Sequence, residues 1–182
     1  MPNWCSNTVT LEHEDPAMIE RVRKAFNAGA LLNEFIPCPA ELHEHDAPTR
    51  DEGRAEQFLE KYGATDWYNW QVKNWGTKWD VGGDGAEAQD IEGGLMLSFD
   101  SAWAPPTNAY EKLMEMGFRV YATYYEPGMC FAGIWDNGDD NYFEYSNMSA
   151  AEVRAEMPVE LDESYGISDY LEEMEEEENE NE

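Results

Sequence analysis

Hydrophobic and polar residues alternate with a period of two over residues 3–11, N-W-C-S-N-T-V-T-L, which predicts a strand. Trp4, Ser6, Thr8 and Thr10 fall on one side of it, and Cys5, Asn7, Val9 and Leu11 on the other; the strand is expected inside its sheet. The period then changes. Asp15-Pro16 supplies an N-cap and a proline at the first helical position, and Ile19, Val22 and Phe26 recur at helical spacing until Gly29. Residues 31–39 are apolar but end in two prolines, which suits a short turn-like plug at the end of the core. Residues 41–54 are polar, interrupted by Pro48 and Gly53, and read as an exposed loop. A helix resumes near Glu52 with Ala55, Phe58, Leu59 and Tyr62 on one face and Gly63 as its stop. Asp66 caps the next, in which Trp67, Trp70 and Asn74 share a face beside Val72 and Trp75, and Gly76 ends it.

Strand patterns dominate after that. Residues 81–85, V-G-G-D-G, read as a flexible loop, Glu87–Ile91 as an edge strand, and residues 95–99 as a central strand beyond the Gly93-Gly94 turn. S-A-W-A-P-P at 101–106 is a stiff connection into a helix over 107–116, with Leu113 and Met116 inward. Strands follow over 118–125, 130–135 and 141–145, the last two joined by an Asn137-Gly138 hairpin turn. Ser149 caps a short helix, Ser168 caps another, and from Glu172 onward near-continuous Glu and Asn predict a frayed or disordered end. This order predicts an α+β fold: a ferredoxin-like antiparallel sheet with helices on one face. Residues 1–146 form that domain, with a helical insertion at about 40–80, and 147–182 form an acidic C-terminal extension, helical then disordered.

Charge alters the functional picture more than composition does. The 182 residues contain 40 acids and 11 bases, a formal net charge of -29. Direct nucleic-acid or anionic-membrane binding through a broad basic face is therefore not expected, and partners should be cationic. The acid is not confined to the end, since residues 1–157 still hold 28 acids and 11 bases. Solubility or adaptation to salt is the plain reading of such a surface, and imitation of a polyanion the sharper one.

Candidate chemistry is sparse. Cys5, Cys38 and Cys130 are widely spaced and suit reduced thiols in a cytoplasmic protein. His43 and His45 have no cysteine at zinc-ligand spacing, and the aspartates around Asn137-Gly138 fit turn chemistry better than calcium, so no metal is expected. There is no basic segment leading an apolar run and no apolar stretch of membrane-spanning length. With no glycine-rich phosphate loop and no evident nucleophile and base pair, neither cofactor nor catalytic residue is expected. The unusual stretch is 67–80, W-Y-N-W-Q-V-K-N-W-G-T-K-W-D, with four of the seven tryptophans. It is either a second small core or the floor of a ligand pocket in which Asn74, Lys78, Trp79 and Asp80, with Trp103, fix the ligand.

Three separated motifs, M-P-N-W-C-S-N at 1–7, N-W-G-T-K-W-D at 74–80 and S-A-W-A-P-P at 101–106, resemble the YubB-type ferredoxin-like family of bacteriophage and plasmid proteins. The resemblance spans roughly residues 1–145 and implies a ferredoxin-like fold and a mobile-element origin, with no activity attached. Resemblance and charge together lead to an expected accessory protein acting in the host cytoplasm. It would bind a host protein with a basic nucleic-acid-binding surface, as a DNA or RNA mimic, through Asp136, Asp139, Asp140 and Glu144. A small-ligand or nucleotide site at the tryptophan motif is the alternative, and RNA on an open sheet face ranks last because of the charge.

Overall fold

A computed structural model describes residues 3–180. Six antiparallel strands form one sheet in the order β2-β3-β1-β4-β5-β6. They are β1 (Trp4–Glu12), β2 (Glu87–Ile91), β3 (Gly94–Ala102), β4 (Arg119–Glu126), β5 (Phe131–Asp136) and β6 (Asp139–Glu144). β1 is central as expected, paired along its length with β3 and β4. Its alternation sets the two faces: Cys5, Asn7, Val9 and Leu11 are all buried, and in register Val9 stands between Leu97 and Ala122, Leu11 between Leu95 and Val120.

Helices α1 (Pro16–Asn27) and α6 (Thr107–Glu115) cover this face with Val22, Phe26, Ala109, Tyr110 and Leu113. Asp15 caps α1 through Ala17 N–H at 2.9 Å. Between α1 and β2 come α2 (Leu31–Phe35), α3 (Ala40–His43), α4 (Glu52–Tyr62) and α5 (Trp67–Trp75), which extend the same core. Asp66, Gly63 and Gly76 act where the sequence places them, Asp66 accepting from Asn69 N–H and the glycines closing each helix in the left-handed region, while Asp51 adds a cap to α4 by accepting from Arg54 N–H. The faces differ in detail. Leu59 and Val72 are exposed, and α5 turns Trp70, Gln71 and Trp75 inward instead, because fully buried Trp75 must reach Ile36 O with its Nε1 at 2.9 Å. The stretch read as a loop at 41–54 holds α3, whose Leu42 is fully buried. Met116 is exposed, since α6 ends at Glu115 and Phe118 takes the inward place.

Two corrections change the architecture. The loop at 81–85 is packed: Gly83 N–H donates to Phe26 O at 2.7 Å, and Val81 is buried. The C-terminal residues are a layer of the fold. Helices α7 (Ala150–Glu156), α8 (Val159–Tyr165) and α9 (Ile167–Glu180) place Val153, Met157, Leu161 and Ile167 against Tyr125, Ala132, Ile134 and Phe143 on the second sheet face. Helices therefore lie on both faces, because the strand alternation at β4 to β6 leaves apolar residues on the second face that need cover. Ser149 opens α7 with a full capping box, whereas Ser168 lies one residue inside α9 and donates to Asp162 at 2.7 Å. α9 stays helical to Glu180, where fraying from Glu172 was expected; Asn181 and Glu182 lie outside the described residues.

The three thiols differ in environment. Burial pushes Cys5 up to about 12 and Cys38 to about 11, while Cys130 is half-buried with its Sγ 3.5 Å from Pro127 O. A raised thiol keeps its proton as pH climbs, so Cys5 and Cys38 stay un-ionised at pH ~9, above the ordinary thiol value of about 8.5. A maleimide or iodoacetamide pulse read by mass spectrometry should modify Cys130 in the folded protein, with Cys5 and Cys38 reacting only in denaturant. Early labelling of Cys5 would contradict this packing.

Candidate functional site

The three sequence motifs converge at one place. Trp4 opens β1 opposite Ala102, Trp103 N–H donates to Asn3 O at 2.9 Å, and Thr77 donates its hydroxyl to Ala102 O at 2.9 Å. Gly76 lies tight against the start of α6, its Cβ direction 3.1 Å from Thr107 N, and Asn108 Nδ2 donates to Lys73 O at 3.1 Å at the end of α5. These contacts lock the α5 exit, the β3 end and the first residues of β1 together.

What this frame carries outward is a ribbon of aromatic rings with one cation in it. Trp4 and Trp79 have centroids 5.9 Å apart, Trp103 meets Tyr68 edge-on at 6.0 Å, and Tyr68 meets Trp67 edge-on at 6.2 Å. Lys78 Nζ lies 4.7 Å from the Trp79 ring, 5.1 Å from Trp103 and 5.8 Å from Tyr68, within cation–π reach of all three. Trp4, Trp79 and Trp103 are 47%, 39% and 42% exposed, so these indoles are not a second core; Trp70 and Trp75, edge-on at 6.0 Å, are buried in the main one. Tryptophans of one motif thus split into packing and display.

Two clefts flank the lysine. One of about 430 Å³ is lined by Pro48, Asp66, Trp67, Tyr68, Lys78 and Trp103 among others. Another of about 320 Å³ is walled by Trp4, Trp79 and Phe99, with Asp80, Asp84 and Asp100 at its margin. Of the residues expected to bind a ligand, Lys78, Trp79 and Trp103 come together. Asn74 does not join them; its Nδ2 donates to Trp70 O at 2.8 Å within the helix. Asp80 lines the smaller cleft, but its carboxylate accepts from Leu32, Asn33 and Val81 N–H at 2.7, 2.9 and 2.9 Å. Burial raises its pKa and those three donors oppose the rise, which marks a carboxylate employed in holding α2. Tyr68 and Trp4 belong to the site as well. Each lies inside a distinctive stretch, Trp4 in 1–7 and Tyr68 in 67–80, but the stretch does not reveal direction.

The expected partner-binding carboxylates sit on the β5–β6 hairpin. Asn137 and Gly138 turn it at φ 48° and 109°, as a two-residue hairpin requires. Asp136 stands opposite Asp139 on one face; Asp140 and Glu144, opposite Trp135 and Phe131, lie on the other. Asp140 accepts from Tyr124 OH at 2.6 Å and Glu144 from Ser146 at 2.9 Å. Burial, then this bond to Asp140, raises the Tyr124 pKa. β6 is also a sheet edge, where acid side chains discourage strand addition. The open part of the second sheet face presents Ser6, Thr8, Glu87, Ser98 and Asp100, a poor platform for RNA.

Among the described residues no cluster of three or more His, Cys, Asp or Glu is arranged to hold a metal ion, and no helix is long and apolar enough to cross a membrane. Fold and site together define an α+β protein with a six-stranded antiparallel sheet and a surface of exposed indoles around a half-buried lysine. No family model matches the chain, and no curated protein matches it. It is similar to a solved structure, the crystal structure of a protein api92 from Yersinia pseudotuberculosis, family DUF1281. The identity is 14% over 80% of this chain and 99% of that one, with a TM-score of 0.42. At that level the likeness decides nothing about fold or function.

Proposed function

We propose that the protein is a binding protein whose acidic pole occupies a cationic, nucleic-acid-binding surface on another protein, as a polyanion mimic. The observation that carries this is the distribution of charge. Residues 120–182 hold 19 acids and a single base, Arg154, which is itself spent on Asp169 at 2.9 Å and Glu172 at 2.6 Å. Within that segment fall the edge hairpin β5–β6 and the helical layer α7 to α9, next to one another at one end of the sheet. The preceding 119 residues hold 21 acids and the other 10 bases, so the net charge is -18 over the last 63 residues against -11 over the first 119. An even coat would serve solubility; a one-sided field steers encounter with a basic partner. Asp136 and Asp139 belong to this pole with the exposed acids of α8 and α9, which extends the surface beyond the hairpin.

The finer readings belong to the same proposal. The succession β1, α1, β2, β3, α6, β4 in the spatial order β2-β3-β1-β4 supports a ferredoxin-like core carrying an extra hairpin. The meeting of the three motifs supports the resemblance to YubB-type proteins of phages and plasmids, and with it action in a bacterial cytoplasm on a defence or recombination protein.

The test compares the wild type with a variant carrying Glu163→Gln, Glu173→Gln and Glu176→Gln, three exposed positions of α8 and α9. Each protein is used to capture nucleic-acid-binding proteins from bacterial lysate, with and without competing DNA. A specific partner should be displaced by DNA, bind at least about tenfold more weakly at ~200 mM salt than at ~50 mM, and lose about tenfold to the variant, at roughly 0.5 kcal/mol per charge. Retention of the partner in excess DNA, or equal binding by the variant, would remove the proposal.

A further inference from the structure

We infer that the cleft of about 430 Å³ between Trp103, Tyr68 and Trp67 binds a small planar aromatic anion, with its ring on the indoles and its anionic group on Lys78 Nζ. This site is separate from the acidic pole and does not depend on it.

The first observation is the state of the lysine. In a chain of 40 acids, seven of the 11 bases form ion pairs among the described residues; Lys78 does not, nor do Arg50, Arg54 and Lys73, but of these four only Lys78 has its charge set over aromatic rings. Aromatic rings surround its ammonium in place of carboxylates. The other charged group lining the cleft, Asp66, is buried and accepts from Asn69 N–H at 2.8 Å, Asn69 Nδ2 at 2.7 Å and Thr65 Oγ1 at 3.0 Å. Lys78 is therefore the charge in this cleft that an incoming group meets.

The second observation is backbone strain at Trp103. A tryptophan at φ 70° occupies a conformation that favours glycine, and here its indole is 42% exposed. The anchoring N–H bond to Asn3 O would serve a glycine equally well. Strain retained to display an indole beside an ammonium is the signature of a recognition surface, since packing gains little from a side chain left so open.

An indole face and a neighbouring cation together select a flat ring bearing a negative charge. A phosphate and a carboxylate meet that requirement alike, so nucleoside monophosphates and aromatic carboxylates are the two sources. Size limits the choice: a polynucleotide brings many charges into the field of a chain of net charge -29, whereas a mononucleotide brings at most two.

The test titrates the full-length protein with adenosine 5′-monophosphate, adenosine, indole-3-acetate, inorganic phosphate and a single-stranded oligonucleotide, following the indole N–H resonances of the seven tryptophans. Either aromatic anion should shift the Trp103, Trp67 and Trp79 signals, and the monophosphate should bind about tenfold more tightly than adenosine. Whichever anion binds better identifies the source. Lys78→Gln should erase the difference between monophosphate and nucleoside. Trp103→Gly should abolish binding while leaving the melting temperature unchanged or raised, because glycine relieves the strain. Equal binding of adenosine and the monophosphate, tighter binding of the oligonucleotide, no shift from either anion, or a large fall in melting temperature with Trp103→Gly would each overturn the inference.

Discussion

Ending the chain at Met157 is expected to cost about 3–6 kcal/mol and leave an apolar sheet face open to solvent. The cut removes Leu161 and Ile167, both fully buried, together with Tyr165, which stacks on Tyr125 at 5.2 Å and meets Thr123 Oγ1 at 3.1 Å. Each fully buried aliphatic side chain contributes about 1.5–3 kcal/mol, and a domain of this size holds only about 5–15 kcal/mol in all. A truncated protein should therefore melt at least about 6 °C lower, at roughly 2–4 °C per kcal/mol, and bind a hydrophobic dye. The single change Leu161→Ala should cost about 2–5 kcal/mol by the same packing. Thermal unfolding followed by circular dichroism decides the matter; a truncated chain that melts with the wild type would show that α8 and α9 ride loosely on the sheet. The result also bears on function, because the acid of α8 and α9 then belongs to a rigid surface held at fixed spacing.

Why the C-terminal layer was not legible follows from its residues. Between Met157 and Leu171 the apolar positions are few, Val159 points outward, and twelve acids without a base after Pro158 dominate any sequence average. Leu161 and Ile167 belong to different helices, so no single helical period connects them. By contrast β1, α1 and the caps at Asp15, Asp66 and Ser149 were readable, since each depends on neighbours within four residues. The candidate site falls between these cases. Its motifs were visible, but the partition of indoles into Trp75 inside and Trp79 outside depends on the tight approach of α5 to α6 at Gly76, which no local pattern records.

The packed glycine loop supplies the other large effect. Gly82→Ala is expected to cost about 2–5 kcal/mol, from left-handed strain of about 1–2 and overpacking of about 1–3. Gly82 has φ 101°, and a methyl group there would overlap the carbonyl of Phe26. That carbonyl is one of the last in α1 and accepts from Gly83 N–H at 2.7 Å, so the methyl group cannot be accommodated without breaking the bond that docks the loop. Gly85→Ala supplies the contrast. Its φ of 85° carries a comparable backbone penalty, but nothing lies within 4 Å of its Cβ direction, so about 1–2 kcal/mol is expected. Urea unfolding of the two variants separates close approach from dihedral strain, and equal losses would mean that the contact with Phe26 contributes nothing. Two residues upstream, Asp80 holds α2 through the N–H groups of Leu32 and Asn33. Displacing Gly82 should therefore disturb α1, α2 and the Trp79 indole together, and any ligand shift at Trp79 should weaken in Gly82→Ala while surviving in Gly85→Ala.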